Sequence, residues 1–231
     1  MAVQAVLFDT FGTVVDWRTG IAAAVAELTG TVDPVAFAAA WRARYQPSME
    51  PIRAGRRPFV RLTDLHRENL AATLAEFGWE PAEAERLNRA WERLPPWPDS
   101  VEGLRIIRQH RLIGPLSNGD TALLARMAEH AGLPWDVVLG SDVTRRYKPH
   151  PEAYTRAAAF LDLPPSAVML VAAHNDDLAA ARAAGLATGF VPRPTEHGPD
   201  QRTDLTATAD WDVVAADLVE LAGRLQENRA L

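Results

Sequence analysis

The sequence predicts an α/β protein, a doubly wound parallel sheet with an all-helical segment inserted after its first strand. Three observations carry that expectation. Short, continuous apolar runs rich in β-formers recur along the chain. Ala- and Leu-rich stretches with helical spacing separate the later runs, the rhythm of strand–helix–strand units around a parallel sheet. The stretch from about Trp17 to Pro98 breaks that rhythm and reads as helix only.

Taken in order, Val3–Phe8 is a buried-strand pattern stopped by Asp9-Thr10-Phe11-Gly12. Helices are expected over Ile21–Leu28, Pro34–Arg44, Phe59–Phe77 and Glu83–Arg93, with Glu50–Pro58 ("EPIRAGRRP") as a basic loop. The proline-rich Leu94–Asp99 ("LPPWPD") is a stiff exit from this insert. Further strands are expected within Arg111–Gly119, Asp136–Asp142, Val168–Asp176 and Ala187–Arg193, and helices over Thr121–Ala131, Pro151–Leu161 and Asp177–Ala184. The expected division is a core of residues 1–16 and 98–231 and a helical cap of residues 17–97.

Composition removes several classes of function. With 231 residues, a formal charge of −6 and a pI near 5.5, the chain has room for a full core but no basic field for nucleic acid. It has no cysteine, hence no disulfide and no thiolate chemistry. No apolar run approaches the ~18 residues a membrane span needs, and the N-terminal run of about six lacks a basic leader, so a cytoplasmic protein is expected. Its partners are then small molecules or a second copy of itself. P-loop, GxGxxG, HExxH and GxSxG patterns are missing, and the six histidines show no i, i+4 pairing, so neither a metal nor a cofactor is expected.

Ligands of open α/β sheets bind beyond the carboxyl ends of the strands. The first expected strand is followed by Asp9, Thr10 and Thr13. The second ends in Ser117-Asn118-Gly119-Asp120, the third leads through Asp142 to Lys148, and the fourth ends in His174-Asn175-Asp176-Asp177. Each group alone is the kind that caps a helix or forms a turn. Together they make an inventory of nucleophile, hydroxyl, cation and acid/base. Of the 24 Lys and Arg residues only Lys148 is a lysine, which suggests a need for a compact point charge.

"LFDTFGTVVD", "PLSNGD", "YKPHPEAY" and "VAAHNDD", in that order with a helical insert after the first, resemble the four motifs of the haloacid dehalogenase superfamily over essentially the whole chain. "FDTFGTVVDWR", "WRARYQPSM" and "LVAAHNDDLAAAR" are similar to the L-2-haloacid dehalogenases within it. The resemblance implies a Rossmann-like core and a helical cap. It also implies hydrolysis of small halogenated carboxylates to 2-hydroxy acids, with inversion, through an ester on Asp9. Superfamily phosphatases have a second aspartate two residues after the nucleophile, to protonate the leaving alkoxide. Here that place is Phe11, which halide tolerates because it leaves as a weakly basic anion.

By the same resemblance Ser117 and Lys148 hold the Asp9 carboxylate and Thr13 supports it, while Thr10 and Phe11 line the substrate. Arg42 faces the halide, with Arg44 as the competing position, and Asn118 helps cradle it. Tyr154 and Asn175 stand near the substrate. The fourth motif departs from the family's Ser-Ser-Asn-Ala-Trp-Asp, reading Ala172-Ala173-His174-Asn175-Asp176-Asp177. Register puts Asp177 at the aspartate that positions the hydrolytic water and His174 in place of an asparagine, so His174 and Asp177 are expected to activate that water together. Two rivals stand beside this reading. One is a magnesium-dependent phosphatase or phosphonatase using Asp9 with Asp176 or Asp177, and the other is a non-catalytic binding protein on the same fold.

Overall fold

A computed structural model describes residues 2–227. Strands β1 (Ala5–Phe8), β2 (Leu112–Pro115), β3 (Val168–Ala172), β4 (Ala187–Phe190) and β5 (Val213–Val214) form one sheet in the order β2-β1-β3-β4-β5, every pair parallel. Between β1 and β2 lie α1 (Trp17–Ala26), α2 (Pro34–Ala43), α3 (Tyr45–Arg53), α4 (Leu62–Phe77), α5 (Ala84–Asn88) and α6 (Ser100–Arg108). The later crossovers use α7 (Thr121–Ala131), the short α8 (Ser141–Thr144), α9 (Pro151–Phe160) and α10 (Asn175–Ala183), and α11 (Leu218–Glu227) follows β5.

All four β1 residues are buried, because helices cover both faces of the sheet. Val6 and Phe8 point into one core with Leu104 of α6 and Leu218 and Leu221 of α11. Ala5 and Leu7 point into a second, with Ala153 and Tyr154 of α9 and Leu178 of α10. The strand period of two thus feeds two cores, which is the doubly wound arrangement expected. Within the insert, Phe37 of α2 packs against Phe77 at 5.1 Å and Trp79 at 5.2 Å between ring centroids. Asp16, Asp33 and Asp120 cap α1, α2 and α7 through their carboxylates, each worth about 1 kcal/mol.

Three sequence expectations are corrected. Asp136–Asp142 is not a strand: the Asp136 N–H donates to the Ile113 carbonyl of β2 at 2.9 Å, and a single bridge joins Leu139 to Leu116 just past the end of β2. The outer edge of β2 is short of donors there. The Ile113 N–H is taken by the Asp136 carboxylate at 3.0 Å, and Pro115, the next residue on that side, has no N–H. Glu50–Pro58 is not wholly a loop, since α3 runs to Arg53 despite Pro51 by burying Tyr45 and Met49 one turn apart. β5 was not expected, and two residues of strand carry no periodic signal. No helix among the described residues is long and apolar enough to cross a membrane.

Candidate active site

β1 delivers Asp9 to the carboxyl edge of the sheet, where its N–H still donates to the Val171 carbonyl at 2.9 Å. The turn that follows needs Gly12. Its φ is +89°, and a Cβ there would lie 2.0 Å from Glu196 Oε1. This turn brings Thr13 Oγ1 to donate to Asp9 Oδ2 at 2.7 Å while accepting the Ala173 N–H at 3.0 Å.

The Lys148 ammonium bridges two carboxylates, donating to Asp9 Oδ1 at 2.8 Å and to Asp177 Oδ2 at 2.5 Å, with all three side chains at most 11% exposed. Asp177, in the first turn of α10, accepts from Tyr154 Oη at 2.6 Å on its other oxygen. Burial pushes the Asp9 carboxyl up, but the Lys148 ammonium and then His174 outweigh it and hold the group far below the usual carboxylate range. Burial likewise lowers Lys148, and the charges of Asp177 and Asp9 raise it above its ordinary value. The pair therefore stays ionised, and Asp9 is an anion available for attack.

His174 follows β3 and lies between two carboxylates, with Nδ1 3.2 Å from Asp9 Oδ2 and Nε2 2.8 Å from Glu196 Oε2. Burial lowers the imidazole, but Glu196 and then Asp9 raise it well above its ordinary value. The two carboxylates flanking the imidazole thus favour its protonated form beside an ionised Asp9. Glu196 is 2% exposed, and its other oxygen accepts the Trp17 indole N–H at 2.9 Å.

Above the turn stands an aromatic roof. Phe11 lies 5.8 Å from Trp91, 6.3 Å from His66 and 6.5 Å from Tyr45 between centroids. The Arg42 guanidinium is 4.1 Å from the Tyr45 ring centre, 5.2 Å from that of Trp17 and 5.9 Å from that of Phe11. Arg42 Nη1 is buried with no protein hydrogen-bond partner, as are Thr10 Oγ1, Trp91 Nε1 and both nitrogens of His66. His66 stacks on Trp91 at 4.3 Å, and burial followed by the Arg42 charge pushes it well below its ordinary value, so it is neutral. A permanent cation with an unpaired N–H among apolar rings suits a small anion bearing an apolar substituent.

Asp9, Thr13, Lys148, His174 and Asp177 thus meet in one hydrogen-bonded cluster, and Thr10, Phe11 and Arg42 belong to the turn and its roof. Asn118 Oδ1 accepts the Lys148 N–H at 2.7 Å. Ser117 Oγ accepts the Gly119 N–H at 3.2 Å rather than reaching Asp9. Tyr154 is fully buried beneath Asp177 and supports it instead of lining the substrate space. Asn175 is used up elsewhere. Its amide binds Asp204, the Thr206 carbonyl, the Thr208 N–H and Trp211, so it pins the loop before β5. Arg44 pairs with Glu76 on the surface, and Asp176 is exposed.

Glu196, His66, Tyr45 and Trp91 escape the sequence reading. Glu196 follows β4, so the strand-end criterion that finds the other groups reaches it when extended one strand further. The other three lie on cap helices, where nothing in the spacing separates a site residue from a core residue.

The sequence profile of the haloacid dehalogenase-like hydrolases matches residues 3–185. The solved structure of a defluorinating L-2-haloacid dehalogenase is 57% identical and superposes with a TM-score of 0.95, covering 97% of this chain and 95% of the other. The (S)-2-haloacid dehalogenase of Xanthobacter autotrophicus is 31% identical over 199 residues, 83% of this chain and 76% of its own length. A structure of L-2-haloacid dehalogenase from that organism with chloropropionic acid covalently bound is 25% identical, with a TM-score of 0.81 over 98% of this chain and 99% of that one.

Proposed function

The chain belongs to the haloacid dehalogenase-like hydrolases, and on that premise we propose that it hydrolyses the carbon–halogen bond of short L-2-haloacids and haloacetates, giving the 2-hydroxy acid and halide. One observation carries this reading. A buried, ionised Asp9 lies under a roof that holds the unpaired Arg42 Nη1, while Phe11 stands where a leaving-group acid would be needed for phosphate ester chemistry.

In this reading Asp9 attacks the halogen-bearing carbon in line. The carbon–halogen bond breaks as the aspartyl ester forms, and Arg42 receives the departing anion, with Asn118 nearby. Lys148 holds the carboxylate ionised and aligned, and Thr13 fixes its second oxygen. Water then attacks the ester carbonyl, returning Asp9 and releasing the inverted alcohol. The relative with chloropropionic acid covalently bound supports an ester, and the defluorinating relative supports fluoride as a leaving group. Metal independence belongs to the same proposal, since the Lys148 ammonium already bridges the two carboxylates that a hard cation would need. So do the cap limits of 17–97, a cytoplasmic location and a homodimer.

The test is release of chloride, fluoride and phosphate from chloropropionate, fluoroacetate and a phosphomonoester, with and without EDTA. Halide release that resists EDTA is expected. Phosphate release that EDTA abolishes would make the chain a phosphatase, and no release of either would leave a binding protein. A single turnover in oxygen-18 water places the label in Asp9 if the ester forms, and in the product hydroxyl if water attacks substrate directly.

A further inference from the structure

We propose that Glu196 is a positioning residue for the second half-reaction: it binds the Nε2–H of His174 so that Nδ1 becomes the base for the water that attacks the aspartyl ester. The inference rests on the ester reading above and adds to it a residue outside the four motifs.

Glu196 is held on every side. Trp17 Nε1 donates to one oxygen at 2.9 Å and His174 Nε2 meets the other at 2.8 Å. Gly12 leaves room for the carboxylate where any Cβ would collide with it. Such a fixed acceptor on one ring nitrogen determines which nitrogen is left to exchange a proton, as in carboxylate–histidine–nucleophile triads. The free nitrogen, Nδ1, lies 3.2 Å from Asp9 Oδ2, close to the carbonyl that water must reach once the ester has formed. Asp177 is less suited to the task, because Lys148 and Tyr154 occupy both of its oxygens.

The charge balance supplies the timing. The charged groups around His174 are Asp9 and Glu196. Arg42 and His197 act on Glu196, and Lys148 lies beyond Asp9. While Asp9 is ionised, the imidazolium keeps both protons. Alkylation of Asp9 removes one of the two anions that stabilise it, so His174 loses its Nδ1 proton to solvent as halide departs. Water then gives a proton to Nδ1 while its oxygen bonds to the ester carbonyl carbon. Cleavage of the ester carbonyl carbon–oxygen bond expels the alkoxide, which takes the second proton of the attacking water from the re-formed Asp9 carboxyl, giving the 2-hydroxy acid and the Asp9 anion beside an imidazolium. One haloacid and one water become one hydroxy acid, one halide and one proton.

Wild-type enzyme and Glu196→Gln are mixed with 2-chloropropionate in single turnovers. Chloride release, ester mass on Asp9 and ester decay are followed across pH. In E196Q the chloride burst should persist, ester should accumulate and its decay should slow by about 10²-fold. The acid limb of the decay profile should move to lower pH, since an imidazole relieved of an anionic neighbour is less basic. His174→Ala should also accumulate ester. Equal decay with an unmoved limb overturns the proposal alone, and loss of the chloride burst in E196Q reduces Glu196 to a structural role and overturns it too. Absence of ester in wild type and both variants overturns it together with the ester reading.

Discussion

Replacing Lys148 by methionine removes one charge from a buried triad and leaves its stem. At 2.8 Å and 2.5 Å from the two carboxylates, each contact is worth roughly 6 kcal/mol of gross attraction at an effective dielectric near 20. Most of that offsets the desolvation of three charges, so the net loss expected is about 3–5 kcal/mol. The sign of its pH dependence follows from the shifts. Asp9 has a depressed folded pKa, so its stabilisation is complete above the unfolded value of 3.8 and is lost only in stronger acid. Lys148 has a raised one, so its contribution is complete below 10.5 and is lost as pH climbs through the folded value. The wild type keeps both across the neutral range. In K148M burial of Asp9 goes unopposed by the ammonium, its pKa rises, and the variant loses stability as pH rises through that new value. Urea unfolding at about pH 5 and about pH 8 should therefore show the larger deficit at the higher pH. K148M/D177N, which removes the second buried anion, should recover much of it. A K148M protein as stable as wild type, or with one deficit at both pH values, would refute this account of the triad.

Two further outcomes are expected. Arg42→Lys should lower kcat/KM for halide release by about 10²-fold with folding intact, since an ammonium cannot reproduce the stacked guanidinium; Arg44→Lys should leave activity unchanged and stability within about 0.5 kcal/mol, and the reverse ranking would move the halide to Arg44. Asn175→Ala should cost about 1–3 kcal/mol in thermal or chemical unfolding while KM stays within about twofold, and a raised KM at unchanged stability would return Asn175 to the substrate.

Much of this molecule was legible in the order of its residues. Apolar runs and helical spacing announce the sheet, its crossovers and the helical insert, because burial on both faces of a strand and on one face of a helix imposes a local period. Asp9, Lys148 and Asp177 could be found because each follows the carboxyl end of a strand or a crossover beside one, where a parallel sheet gathers its loops. Phe11 already spoke against a proton-assisted leaving group. Local patterns are silent, however, about which side chains share a hydrogen bond across the fold. Asn175 sits one residue from His174 in sequence, yet its amide turns to the loop before β5 while the imidazole turns to Asp9. Arg42 and Arg44 lie on one short stretch of chain, and only packing sends one under the aromatic roof and the other to Glu76. Glu196 joins a histidine 22 residues before it and a tryptophan 179 residues before it. The protonation of His174 depends on that meeting, because charge interaction falls with distance through space and takes no account of distance along the chain.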